Sequence, residues 1–501
     1  MKTFIPLFLV AVLIVFLPKT QAVVPAPDGC YPNFTTAEGC NALTSLSTGA
    51  GNTGIGWYSL FLDTTGSYNT GVGGGALALN NADSNTAVGA AALLLNTSGT
   101  ANVAVGTDAL VYNDSGNYNN AVGAFALFNN ITGSNNNALG DSALGFNVNG
   151  HDNTAIGDSA LESNDVTGNG LANFNTAIGA AALLNNTDGV SNTAIGYEAL
   201  FSNVNAVVNT AIGRGALHDN VGGNANVAVG VRALNHNQNG AGNAAGGYEA
   251  LFSNTSGGAN AAFGEAALYS NSTGNSNAAV GFGALTNLTM GHDNIALGAG
   301  AGDNLTAGSF NIDVGNSGVA TESNTVRIGD PAVHTDTYIA GISGSTASGG
   351  VAVFVDSDGK LGTSTSSKRF KDNIEPMNQA SEALFRLKPV TFRYKKDLDP
   401  KNIPQFGLVA EEVEKVNPDL IARDRNGTVY TVRYDAVNAM LLNEFLKEHR
   451  AFVEEQRKVE KQQKEIDLLK AELKEQRLFI QKVSDKVQLS QTVAKLAGHI
   501  P

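Results

Sequence analysis

The sequence predicts a mainly β protein. A parallel β-roll or β-solenoid of about 17-residue turns, homotrimeric, is followed by a small α+β domain and a C-terminal coiled coil. Three observations predict it. An Asn-led unit returns at a nearly constant spacing between residues 52 and 329. The composition is small and sparsely charged, with Gly at 58 of 501 positions, 7% aromatic and 15% charged residues, which does not suit one large layered core. After residue 362 the composition changes abruptly, and the chain closes on a long heptad pattern.

The first segment, 1–22, reads as a secretory signal. Lys2 supplies the positive start, Phe4 to Leu17 is a 14-residue apolar run, and "TQA" ends at Ala22 with small residues where a signal peptidase needs them. Fourteen residues are short for a bilayer span, and no later apolar run is longer. The expectation is a secreted or cell-surface protein with no integral membrane segment once the signal is removed. Segment 23–51 holds both cysteines, Cys30 and Cys40, in "CYPNFTTAEGC". An oxidising export compartment leaves a local disulfide, free thiols and interchain pairing all open. The spacing is wrong for a zinc site and no histidine is near, so neither metal nor cofactor is expected.

Residues 52–330 form the repeat shaft, with units such as "NTAVGAAAL", "NTAIGDSAL" and "NTAIGYEAL". The leading Asn recurs from 52 to 311 in steps of 17, apart from one of 16 and one of 22 where "VTGNGLANF" inserts, and a shorter last step reaches Asn324. Such a period without helical patterning signals a solenoid. Each unit offers a short Thr-Ala-Ile-Gly strand and a piece ending Ala-Leu, separated by Asn-, Gly- and Ser-rich turns. The Ile or Val and the Leu are expected to stack into interior apolar columns, with the Asn side chains forming a hydrogen-bonded ladder. At about 4.8 Å per strand the stack would be a rod of roughly 75 Å. So thin a coil calls for partners, and a closed symmetric homotrimer is the expected assembly.

Charge restricts function. The net charge of −14 conceals a shaft with three basic residues between 23 and 350, namely Arg214, Arg232 and Arg327. Such an acidic shaft does not neutralise phosphates, so nucleic acid is not an expected partner. The acidic residues do not recur as facing pairs, which gives glycoside hydrolysis little support. "GHDN" occurs at 150–153 and again at 291–294, and His151 and His292 read as turn residues. "DSDG" at 356–359 begins like a calcium loop, but Ser367 stands where a bidentate Glu is required, so a hairpin turn in the neck, 331–365, is expected.

In the last third, "KPVTFRY" alternates like a strand, "VAEEVEKV" fits a short helix, and "RDRNGTVYTVRY" reads as a hairpin. Glu411 and Glu412 on the short helix read as a charged face. Over 445–497, Phe445, Phe452, Val459, Ile466, Leu473, Ile480 and Val487 recur every seven residues as a coiled-coil seam. In "TSTSSKRFKDNI", Ser366 and Ser367 precede a basic run of Lys368, Arg369 and Lys371.

Two resemblances follow from these motifs. The Asn-x-Ala-Ile-Gly units resemble the head repeats of trimeric autotransporter adhesins, the YadA-like left-handed parallel β-roll, although the chain ends in charged helix where those adhesins have a membrane barrel. A surface glycan or a host or cell-surface ligand is the partner that this implies. "SSKRFKDNI", "LKPVTFRY", "FGLVAEEVEKVNPDLI" and "YDAVNAMLLNEFLKEH" together resemble the endosialidase-type intramolecular chaperone, the self-cleaving C-terminal domain of phage tail spikes. That resemblance implies a domain over 366–444 that trimerises the fibre, guides its folding and cuts itself off. It places the catalytic pair on Ser366 and Lys371 and the cut between Thr365 and Ser366. A lysine serves as base only when neutral, so Lys368 and Arg369 are expected to add positive charge and Phe370 apolar cover. Five residues do not share a helix face, so the pair must meet through a turn or across a trimer interface. Ser367 is the reserve nucleophile. The competing readings are a fibre that no longer cuts and a glycan-degrading spike.

Overall fold

A computed structural model describes residues 32–497, so the leader and Cys30 lie outside the described residues. The chain divides into two compact units, 1–338 and 339–501. In the first, eighteen parallel strands run from β1 (Thr36–Glu38) to β18 (Val326–Ile328) in one sheet, each paired with the next. The sheet thus begins one turn before the first repeat read from the sequence. Every strand is three residues long because the period leaves room for no more between corners.

The pairing is in register, with Thr154↔Thr176, Ala155↔Ala177 and Ile156↔Ile178 as one example. Like therefore sits on like. The middle residue of each strand points inward, and Ala87, Ala104, Ala121 and their successors are buried. The Ala-Leu pair (Ala92-Leu93, Ala109-Leu110 and so on) closes the core from the opposite wall. This corrects one expectation. The Ile and Val of the strands do not line the core; they point out, with Ile156 39% and Ile212 38% exposed. Side chains alternate along a strand, and once Ala faces in, its two neighbours must face out.

The rest of the interior is amide. Asn102 N donates to Asn85 Oδ1 (2.9 Å), Asn119 N to Asn102 Oδ1 (2.9 Å) and Asn136 N to Asn119 Oδ1 (3.0 Å), a ladder with one rung per turn. A second buried column lies beside it. Asn113 Nδ2 donates to Asn96 Oδ1 (2.7 Å), Asn130 Nδ2 to Asn113 Oδ1 (2.7 Å) and Asn147 Nδ2 to Asn130 Oδ1 (2.9 Å). The columns share acceptors, since Gly116 O receives Asn102 Nδ2 (2.8 Å) and Asn113 Nδ2 (3.0 Å). The last step corrects the repeat register: Thr325, not Asn324, occupies the ladder position, its N donating to Asn311 Oδ1 (3.2 Å).

Close stacking dictates glycine at the corner after each strand. Gly89 has φ +144°, and a Cβ there would lie 2.3 Å from Gly106 O. The five extra residues of the long turn are absorbed at another corner. Asp165, itself buried, accepts from Asn149 N (2.8 Å) and Gly170 N (2.9 Å), while Asn186 Nδ2 still reaches Asn164 Oδ1 (2.8 Å) across the insertion.

The second unit begins with the expected neck hairpin, β19 (Val353–Val355) against β20 (Leu361–Thr363), with Asp356 Oδ1 accepting from Asp358 N and Lys360 N. Two antiparallel pairs follow, β21 (Val390–Phe392) with β22 (Gln405–Gly407) and β23 (Ile421–Arg423) with β24 (Val429–Val432). Helix α1 (Ala410–Val416) and the first turns of α2 (Tyr434–Ala497) pack Val413, Leu420, Ile421, Val432, Val437 and Met440 into a small core. Beyond Lys447 the helix is largely exposed, heptad seam included. No helix among the described residues is long and apolar enough to cross a membrane.

Two predictions come from the ladder. Asn130→Ala leaves Asn113 Oδ1 without its donor inside the coil and should cost about 2–3 kcal/mol, read as a lower denaturant midpoint for the shaft. Asp63 stands at the head of the second column, bound by Gly66 N (2.8 Å) and Asn69 Nδ2 (3.2 Å), and burial pushes its pKa up to about 6. Its folded-state value exceeds the ordinary one, so its ionisation costs stability as pH rises from about 4 to about 6 and onward stays constant. Asp63→Asn should therefore raise the melting temperature at pH 7.5 and change it little at pH 4.

Candidate active site

Residues 363–373 are exposed, and the backbone decides what they bring together. Ser366 and Ser367 end an extended stretch. A single 3-10 turn, Lys368–Phe370, follows, with Phe370 N donating to Ser367 O (3.0 Å) and Lys371 N to Lys368 O (3.2 Å). The turn reverses the chain, and Lys371 Nζ donates to Ser366 Oγ at 3.1 Å. The five-residue separation is thus bridged locally, within one chain. Thr365, the residue before Ser366, is exposed beside it.

An open hollow surrounds the pair, lined by Ser366, Lys368, Lys371, Asp372, Asn373 and Ile374. Lys368 is in place to add positive charge. Arg369 is not; its guanidinium lies 4.5 Å above the Phe370 ring, and Phe370 is itself exposed, so in the single chain that ring does not cover the pair as expected from the sequence. Lysine ammonium and serine hydroxyl share a hydrogen bond in the geometry that lets the amine, once neutral, take the hydroxyl proton. The pair itself lies open to solvent.

The other candidate residues serve structure. His151 Nδ1 pairs with Asp152 (2.7 Å) and His292 Nδ1 with Asp293 (2.9 Å), and each ring meets Phe174 or Phe310 edge-on, a turn contact repeated at both "GHDN" sites. Glu411 and Glu412 lie exposed in the first turn of α1, where the helix dipole favours carboxylates. Cys40 is half-buried, and its pairing with Cys30 concerns residues outside those described. Among the described residues no group of three or more His, Cys, Asp or Glu converges as a metal site.

A polar hub escaped the sequence reading. Ser381 Oγ is buried and accepts from Asn443 Nδ2 (2.6 Å) and Lys447 Nζ (3.3 Å) while bonding Glu444 Oε1, and Lys447 pairs with Glu444 at 2.7 Å. Its parts are more than 60 residues apart in the chain, and only their recurrence on one helix face (443, 444, 447) could have pointed to it. The hub ties the long helix to the 3-10 segment Asn378–Arg386, close to where the helix leaves the domain.

A peptidase family model, described as chaperone of endosialidase, matches residues 366–422. No curated protein and no solved structure matches the chain. The matched stretch begins on the serine of the hydrogen-bonded pair and runs through the 3-10 turn, β21, β22 and α1 into β23, so residues 366–422 are similar to the endosialidase chaperone, set behind a parallel β-solenoid.

Proposed function

We propose that the chain is an exported, trimeric, adhesin-like fibre whose C-terminal chaperone guides trimer folding and then releases itself by one cut at Thr365–Ser366. The 3.1 Å contact between Lys371 Nζ and Ser366 Oγ, at the first residue of the family match, carries this reading. Neutral Lys371 takes the Ser366 hydroxyl proton as Oγ attacks the Thr365 carbonyl carbon. The Thr365–Ser366 C–N bond breaks, the lysine returns the proton to the Ser366 nitrogen, and an ester joins Thr365 to Ser366 Oγ. Water then hydrolyses that ester, leaving a carboxylate on Thr365 and a free hydroxyl on Ser366.

Two apolar columns support the trimer. One is the outward strand column, including Ile55, Val88, Val105, Ile156, Ile178 and Ile212; the other is the seam from Phe445 to Val487. The first runs across the strands from turn to turn and the second along the long helix, and both stay exposed in a single chain. Assembly would also bury the neighbourhood of Lys371 and favour its neutral form, which makes cutting a sequel to correct folding. A mature rod of about 23–365 would then act at the cell surface or outside it, with a glycan or another surface ligand as partner.

On a denaturing gel, folded wild type should run as two fragments, the smaller beginning at Ser366 by mass. Ser366→Ala should give one full-length band, and Lys371→Met should slow cutting by about 10²–10⁴-fold. Full-length wild type that is trimeric and uncut would refute self-cleavage and leave a non-cutting structural fibre. For the assembly, Ile178→Asp combined with Ile212→Asp should shift the shaft from trimer towards monomer in light scattering, without touching the Ser366 site.

A further inference from the structure

The last turns of the roll depart from the repeat in one way that stacking does not require. Strand β17 (Ile312–Val314) carries Asp313 at the inward position that Ala holds in the preceding turns. Asp313 is 1% exposed, and neither carboxylate oxygen has a hydrogen-bond partner. Its Oδ2 lies against bare backbone, 3.3 Å from where a Cβ on Gly302 or on Gly318 would stand.

The charged groups around it come from three elements. Arg327 on β18 is its register partner, and Ala296 is its neighbour on the other side. Arg327 does not pair with it. The guanidinium makes a two-pronged bond to Glu322, Nε to Oε1 at 2.8 Å and Nη2 to Oε2 at 2.7 Å, and Glu322 Oε1 also accepts from Val319 N (2.8 Å). Asp303, from the loop after the preceding strand, has a buried Oδ1 that is likewise unpartnered. Burial, and then the Glu322 charge, push the Asp313 pKa up to about 6, with Arg327 opposing; the Arg327 hydrogen bond holds Glu322 below its ordinary range.

We propose that this last coil is a proton-gated clasp: with Asp313 neutral, Arg327 stays on Glu322 and closes the end of the roll, and with Asp313 ionised, Arg327 is drawn off Glu322 and the end loosens. The sign follows from the folded state holding the proton more tightly than the unfolded chain. Closure is strongest in acid, weakens as pH climbs through about 6, and changes no further above that. The clasp sits in the roll upstream of the neck, so its state sets how firmly the final turns are ordered, independently of the chemistry at Ser366.

Hydrogen exchange on the full chain tests it. Protection factors for 312–329, corrected for intrinsic exchange, should fall about tenfold or more between pH 5 and pH 7.5, while turns at 120–195 stay constant. Asp313→Ala, which restores the residue of the preceding turns, should be protected equally at both values. Should that variant not fold, Asp313→Asn provides the same neutral comparison. A smaller fall in wild type, or an equal fall in the neutral variant, would overturn the proposal, the latter by moving the effect to Asp303 or Glu322.

Discussion

A side-chain amide sealed inside a coil must find both a donor and an acceptor, or the turn that carries it is destabilised by kilocalories. The roll satisfies this with identical amides one period away, and most of the architecture follows. Spacing between rungs must equal spacing between strands, so turns cannot tilt or slide. The two amide columns share carbonyl acceptors, so the walls stand close and the strand position opposite leucine is alanine or glycine in every turn from β2 to β16. Stacking that tight brings corner backbone so near that a Cβ would collide, hence the recurring glycine. Leucines such as Leu93, Leu110 and Leu127 adopt left-handed backbone angles that cost energy in isolation, and each is held by a bond to the next turn, as from Leu93 N to Ala109 O. No turn is stable alone, and a stack shares both the strain and its remedy.

The ends of such a stack are where the repeat must stop, and the chain treats them differently. At the far end the second amide column gives way to Leu288 and Leu305, which leaves Asn271 Oδ1 as its final unmatched acceptor. The strand core ends on Arg327, whose stem faces inward and whose charge is held by Glu322. Near the start, Asp63 takes the place of an amide. Towards both ends the repeat thus admits charged or unmatched groups in place of amide and alanine, as it does in its interior only at Asp165 in the long turn.

The period, the parallel stack and the first amide column could be read directly, because Asn at one phase of the repeat has no better explanation. The second column was hidden by turn chemistry. Asn80, Asn96 and Asn113 look like ordinary turn asparagines, and only their burial distinguishes them. Outward Ile and Val were misplaced because large apolar residues are usually core, whereas here the interior is too narrow for them. At Ser366 and Lys371 the residue types were legible and their meeting was not. It depends on one 3-10 turn, a feature with no periodic signature. Asp313 was legible in principle, as "NIDVG" where other units read "NTAIG", but its isolation from any partner is a property of packing alone.

The long turn between Asn164 and Ala172 has a consequence for how such a rod changes over time. Ladder bonds cross it unaltered, from Asn175 to Asn153 and from Asn186 to Asn164, although the separation in sequence is 22 residues instead of 17. The extra chain is organised by Asp165 and otherwise spends its side chains on the surface, with Val166 and Leu171 exposed. That corner is a tolerant port in an otherwise intolerant repeat. Five extra residues decorate one level of the roll there, while the ladder bonds on either side keep their spacing.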